Sequence, residues 1–195
     1  YVGDNGFASS ITVNSKNGED SVGFLTKEDQ NKVNVMGAYT GDNYHLSATY
    51  TTQQKGYTGG YPYFSTKSAK QSGVDTNGWA LRGWWRPDET GTATPSISVG
   101  YDTMSFSGRG DNITEGSGYF VGLNWADMFQ PDDKIGIAIG QPMKATQAAA
   151  GTTLTEVDPF LWELYYSFRP NDSIEITPAV FGGKDVYTDT ADDIF

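Results

Sequence analysis

The chain has 195 residues, a net charge of −11 and no cysteine, which excludes disulfides, thiolate catalysis and cysteine-ligated zinc. The acidic balance lacks the clustered Lys and Arg that nucleic acid requires, so no nucleic-acid partner is expected. The single histidine, His45, provides neither a catalytic triad nor a metal site, and we expect it on a solvated strand face. No cofactor and no metal are predicted, and no apolar run reaches the roughly 20 residues of a membrane-spanning helix.

Alternation of apolar and polar residues dominates the chain and is typical of half-buried β-strands. The opposite positions are polar or small, and no helical period competes over a useful length. The sequence therefore predicts an all-β, antiparallel chain of about nine strands. These are a weak strand around Phe7, Ile11 and Val13, followed by Lys32–Tyr39, Tyr44–Thr51, Trp79–Trp85, Pro95–Tyr101, Tyr119–Trp125, Ile135–Ile139, Phe160–Phe168 and Ile174–Val180.

The connections between these strands alternate in length. Short turns are predicted at 40–43, 87–93, 127–133 and 169–172. Longer segments are predicted at 15–30, 53–76, 107–115, 142–158 and from Gly183 onward. Strict short–long alternation is typical of an up-and-down transmembrane β-barrel with short turns on one side and long loops on the other.

Aromatic residues gather at both ends of the predicted strands. Those near the short turns are Tyr39, Tyr44, Trp85, Trp125 and Phe168. Those near the long segments are Tyr50, Trp79, Tyr101, Tyr119 and Phe160. Two such belts are typical of side chains at the two interfaces of a membrane. Core strands of soluble proteins also end in aromatics, so a soluble β-protein such as a lectin remains an alternative.

The charged residues of the predicted strands all fall on the polar parity. A Lys or Arg facing lipid at the midplane would cost about 2–4 kcal/mol, so this placement fits a membrane barrel, although a soluble barrel would satisfy it too. We predict that these residues line a pore and set its ion preference. They are Arg82, Asp102, Lys134, Glu163 and Glu175. Glu163 and Glu175 could instead form a glycosidase pair, but lumen lining is preferred, and no enzymatic activity is predicted.

Two acidic clusters and one aromatic loop carry further alternatives. The clusters could hold calcium, but the required spacing is missing and solvated loops are preferred. The segment 53–76 combines tyrosines with lysines, and it could constrict a pore, cover a neighbouring subunit or cap the barrel. The clusters consist of Asp127, Asp132, Asp133 and of Asp189, Asp192, Asp193.

The strand number indicates that residues 1–195 form part of a single barrel domain. Bacterial single-chain outer-membrane barrels close with an even number of strands, and open porins need about 16–18. We therefore expect further strands before Tyr1 and one more strand after Phe195.

Three segments, Trp84–Asp88, Tyr165–Pro178 and Thr190–Phe195, resemble cyanobacterial outer-membrane porins, which are related to carbohydrate-selective and iron-uptake porins. The resemblance covers essentially the whole chain and is most specific toward its C-terminal part. It implies a homotrimer in contact with outer-membrane lipid that allows passive diffusion of small hydrophilic solutes and inorganic ions. The alternative is a substrate-specific porin for carbohydrate or iron, or a surface receptor.

The sequence departs from that family pattern in two respects. It contains no S-layer-homology segment, the domain with which family members bind the peptidoglycan-linked polymer, and no terminal strand ending in an aromatic residue. We expect both to lie outside these residues, and contact with that polymer is implied only through the missing domain.

Overall fold

The computed structural model describes residues 1–21, 23–26, 29–56, 74–107, 113–151, 154 and 158–185. Over these ranges all regular structure is β, and no helix in them is long and apolar enough to cross a membrane. The strands are β1 (Phe7–Ser15), β2 (Asn31–Thr40), β3 (Tyr44–Gly56), β4 (Val74–Trp85), β5 (Ser96–Ser107), β6 (Ile113–Ala126), β7 (Lys134–Ala148), β8 (Phe160–Asn171), β9 (Ile174–Ile176) and β10 (Ala179–Lys184).

The ten strands form one antiparallel sheet with up-and-down topology. Its order is β1 through β8 followed by β10, and β9 pairs with β8 beside this path. The prediction of an all-β, antiparallel, up-and-down chain is confirmed. Among the described residues β1 and β10 do not pair with each other, so the sheet is open rather than closed into a barrel.

The last predicted strand is divided in two, which makes ten strands where about nine were predicted. Pro178 lies between β9 and β10 and has no backbone N–H to give to a ladder. Its carbonyl still accepts a hydrogen bond from the Tyr166 N–H at 3.1 Å, which keeps the chain alongside β8. Pro95, predicted as the first residue of its strand, lies just before β5 for the same reason.

The sheet has two ends with different connections. At the turn end the connecting residues are 41–43, 86–95, 127–133 and 172–173, and at the loop end they are 16–30, 57–73, 108–112 and 149–159.

The prediction that short and long connections alternate strictly is wrong. The segment 108–112 is shorter than 86–95, because β5 and β6 extend into a range predicted as a long loop. Similarly β7 continues through residues predicted as part of the loop 142–158. Toward the loop end of β5 the apolar face becomes polar at Thr103 and Ser105, whereas the other face carries Met104 and Phe106, so the apolar parity that marks the rest of the strand does not continue.

The strand register sorts the residues into two faces. Across the sheet, residues that pair directly lie on the same face, because successive side chains alternate. One row on the apolar face runs Phe7, Tyr39, Leu46, Gly83, Val99, Val121, Ile139, Trp162, Gly182. The adjacent row on the polar face runs Ala8, Ala38, Ser47, Arg82, Gly100, Phe120, Gly140, Leu161, Gly183.

Among the described residues, no second layer packs against the apolar face. In the described part of the chain the buried hydrophobic side chains are Phe106 and Ile113, which cluster at the loop end. The large hydrophobic residues of the strands are instead exposed. On the apolar face these include Phe7, Ile11, Val35, Leu46, Leu81, Ile97, Val99, Ile137, Ile139, Leu164 and Val180.

Candidate functional site

The five charged residues predicted to line a pore all lie on the polar face of the sheet, but they do not form one cluster. Arg82 on β4 contacts Asp102 on β5. Glu163 lies farther along the sheet on β8, and Lys134 and Glu175 lie at the turn end. The structure therefore divides them into a pair, a single carboxylate and an end group.

Arg82 and Asp102 form an ion pair because their strands place them on a diagonal. Arg82 is directly opposite Gly100, and Asp102 is the next residue along on the same face. The Arg82 Nη2 lies 2.8 and 2.9 Å from the two oxygens of Asp102, while Nη1 donates to the Leu81 carbonyl at 2.8 Å. The side chains are 40% and 30% exposed. Their opposite charges largely compensate each other on this part of the face.

Glu175 at the turn end is also paired with a cation. Its carboxylate accepts hydrogen bonds from Arg169 Nε at 3.0 Å and from the Ser167 hydroxyl at 2.9 Å. Lys134 is directly opposite Ser167 in the register. Sequence reasoning missed Arg169 as the partner, because it placed this residue in a turn.

Glu163 differs from the other two carboxylates. It lies opposite Ala138 and Phe181, and no cation of the described residues lies within 4 Å of it. Together with Asp102 it lines a concavity of about 490 Å³. Of the three acidic residues predicted to line a pore, Glu163 is the one that forms no ion pair with a described residue.

The spacing of Glu163 and Glu175 does not fit a glycosidase. Glu175 hydrogen-bonds to Ser167, which is four residues along β8 from Glu163. That separation corresponds to about 13 Å at roughly 3.3 Å per residue. Carboxyl pairs of glycosidases lie about 5–9.5 Å apart.

Aromatic residues on the polar face were missed by sequence reasoning, which described this face as polar or small. Phe120 lies over Gly100, and Tyr165 lies over Gly136, so that a Cβ on either glycine would collide with the ring. The hydroxyl of Tyr165 accepts a hydrogen bond from Asn124 Nδ2 at 2.9 Å. Only the register reveals these pairs, because each glycine is on a different strand from its ring.

His45 is a half-buried residue of the polar face. Its ring stacks on Trp84 with centroids 6.0 Å apart, and Nδ1 lies 2.8 Å from the hydroxyl of Thr40. These contacts give His45 a structural role on the strand face where it was expected.

The acidic turn 127–133 is organised by Asp133, which is completely buried. Its carboxylate accepts hydrogen bonds from the backbone N–H groups of Met128, Phe129 and Gln130 at 2.7–3.1 Å, and from the Tyr166 hydroxyl at 3.0 Å. Burial acts to raise the pKa of Asp133, but these hydrogen bonds outweigh it and hold the pKa below its usual range. The expectation of a solvated acidic loop is therefore wrong for this residue.

The acidic cluster of the turn 127–133 does not form a metal site. The turn carboxylates bind backbone N–H groups, and no set of three or more His, Asp or Glu in the described chain is arranged to hold a metal ion. The second cluster, Asp189, Asp192 and Asp193, lies outside the described residues, as does most of the predicted aromatic loop 53–76.

The connection between β1 and β2 is closed by a second buried aspartate. Asp29 accepts hydrogen bonds from the Ser15 hydroxyl at 2.5 Å and from the backbone N–H of Asn17 at 3.0 Å. These donors lower the pKa of Asp29 to about 2. Asn31 is also buried, accepting from the Leu25 N–H at 3.0 Å and donating to the Thr26 carbonyl at 2.7 Å.

Aromatic side chains border the apolar face at both ends. Toward the loop end Tyr50 packs on Trp79 with ring centroids 5.0 Å apart, and toward the turn end Tyr39 packs on Tyr44 at 5.8 Å. Beyond the loop-end belt the same face becomes polar, with Thr103 opposite Trp79 in the register. The belt residues of one strand are six apart in three cases, Tyr44 and Tyr50, Trp79 and Trp85, and Tyr119 and Trp125.

A comparison with protein-family models, curated proteins and solved structures found no match for this chain.

Proposed function

We propose that this chain forms the wall of a transmembrane β-barrel of the porin type in a bacterial outer membrane, and that it allows passive diffusion of small hydrophilic solutes and ions. The observation that carries the proposal is the exposed apolar face, bordered at both ends by aromatic belts. The family resemblance and the homotrimer that it implies belong to the same proposal.

Lipid is the partner that best matches the apolar face. Soluble monomers rarely expose contiguous apolar patches larger than a few hundred Å². Here the exposed hydrophobic residues follow every strand from β1 to β8 and β10, and in these strands only Phe120 and Phe181 lie on the other face. Full burial of one such side chain is worth about 1.5–3 kcal/mol, so a face of this size left uncovered in water would forfeit a large stabilising contribution.

The belts have a spacing and a direction that fit membrane interfaces. Six residues correspond to about 20 Å along a strand, comparable to the apolar band of about 25 Å in outer-membrane barrels. Tyr101 and Tyr119 lie one same-face row nearer the turn end than Tyr50 and Trp79. The belt is thus oblique to the hydrogen-bonding direction, as it is when strands are tilted from the membrane normal.

The polar face is proposed to line the water-filled lumen. Two of its three acidic residues, Asp102 and Glu175, are neutralised by arginines. This leaves the Glu163 carboxylate and the Lys134 ammonium group, neither of which forms an ion pair with a described residue. We therefore expect weak ion selectivity, because these two charges have opposite signs. Diffusion through such a lumen requires no catalytic group.

Closure is a further requirement of the proposal. Unpaired backbone groups at a sheet edge are not tolerated in the hydrocarbon region. The free edges of β1 and β10 must therefore both be paired in the membrane, with each other or with additional strands.

Single-channel recording in a planar bilayer tests the proposal, using detergent-extracted protein and a salt gradient. We expect stable open steps and a reversal potential that indicates weak ion selectivity. A correctly folded preparation without steps, or a protein that stays monodisperse without detergent, would overturn it. Saturable block by a sugar or by ferric ion would instead support the substrate-specific alternative.

A further inference from the structure

The concavity on the polar face has the size of a small-molecule site. It spans β5 to β8 and β10, and its volume of about 490 Å³ lies within the range of about 300–1,000 Å³ that is usual for ligand pockets.

The floor of the concavity is backbone. Gly118 and Gly140 lie there, and a Cβ on them would lie 2.9 Å from the Met143 nitrogen and 2.7 Å from the Tyr119 carbonyl oxygen. Larger residues are thus excluded at both positions. Ala138 adds only a methyl group, so the space above remains open.

The walls combine apolar surface with uncompensated negative charge. Phe120, Leu161 and Phe181 contribute the apolar part, and Phe181 is 65% exposed. Glu163 and Asp102 contribute carboxylates, of which Asp102 is already bound to Arg82. No Lys or Arg of the described residues lines the concavity.

We propose that this concavity binds an organic monocation with an apolar body, of the arylalkylammonium or alkylammonium class. The ammonium group pairs with Glu163, and the apolar body packs against Phe120, Leu161 and Phe181. A neutral solute would leave the carboxylate unpaired, and a bare inorganic cation would leave the apolar walls in water. The inference rests on the proposed function in that the polar face must line a water-filled lumen that the ligand can enter.

Calorimetry on the full chain folded in detergent tests the inference, with phenethylammonium as the probe. Saturable binding is expected, at least about tenfold tighter than that of phenethyl alcohol, 3-phenylpropionate or methylammonium. Glu163→Gln and the cavity-filling Ala138→Leu should each weaken binding at least about tenfold. Glu175→Gln is the matched control, because it removes a carboxylate from the same face outside the concavity, and it should leave binding unchanged.

Single-channel recording with the same probe separates this inference from the proposed function. Concentration-dependent block that disappears in Glu163→Gln supports both. A chain that conducts normally, with phenethylammonium neither binding nor blocking, overturns the inference and leaves the proposed function intact. Methylammonium binding as tightly as phenethylammonium also overturns it. A folded chain without conductance overturns the proposed function whatever the calorimetry gives.

Discussion

On the apolar face Leu46 and Val99 leave 60% and 44% of their surface exposed, whereas Asp133 and Asp29 in the connections are almost completely buried. This is the reverse of the usual distribution in a soluble protein, where aspartate is rarely buried and aliphatic side chains fill the interior. The connections satisfy their buried carboxylates with their own N–H and hydroxyl groups. The strands do not cover their apolar residues, so their stability depends on what surrounds the sheet.

The largest effect is expected from a charge placed on the apolar face. Val99→Lys should lower the free energy of unfolding in lipid by about 2–4 kcal/mol, because an ammonium group enters the proposed hydrocarbon band. Ser98→Lys is the matched control, since Ser98 is the neighbouring residue on the polar face, and its effect should stay within about 0.5 kcal/mol. Denaturant unfolding in lipid vesicles measures both, and equal losses would contradict the assignment of the two faces.

Acid should affect the connection between β1 and β2 without affecting the apolar face. The pKa of Asp29 is about 2, below its usual value of 3.8, so its stabilising contribution is fully present above pH 3.8 and is lost as the pH falls through about 2. The amide chemical shift of Asn17, followed by NMR, should report this transition. In Asp29→Asn the transition should disappear, and a midpoint at 3.8 or higher in the wild type would show that the carboxylate is not held by its donors.

The smallest stability effect is expected at the Arg82–Asp102 pair on the polar face. Both side chains are partly exposed, so Arg82→Gln or Asp102→Asn should each cost less than about 1 kcal/mol. Ion preference should change more clearly, because Arg82→Gln frees a negative charge and Asp102→Asn frees a positive one. Reversal potentials should shift in opposite directions, and the double variant should lie near the wild type. A shift in the same direction would contradict a lumenal ion pair.

The sequence was sufficient to predict those features of the fold that repeat every two residues. Strands β2, β3 and β8 and the sorting of Leu46 from His45 follow from alternation alone. The break at Pro178 was also present in the sequence, since proline cannot donate to a ladder, but the continuing apolar parity concealed it.

Features that depend on contacts between strands could not be predicted. The register shift between Ser117 and Tyr119 is invisible in the alternation, because it arises from the pairing of β6 with β7. The burial of Asp133 involves Tyr166 of β8, which is adjacent in the sheet but 33 residues away along the chain. For the candidate site, the sequence placed the five charges on the correct parity, but their pairing and the concavity beside Glu163 depend on diagonal neighbours and on glycines.

In two places an aromatic ring covers a glycine on the adjacent strand, Phe120 over Gly100 and Tyr165 over Gly136, so the two residues of each pair are expected to change together during evolution. As long as the ring remains, any side chain at the glycine position collides with it, so neither partner can drift alone. Among sequence relatives, a residue with a Cβ at position 100 should therefore occur together with a small residue at position 120. Such coupled variation would record the register of β5 and β6 in the evolutionary history of the chain.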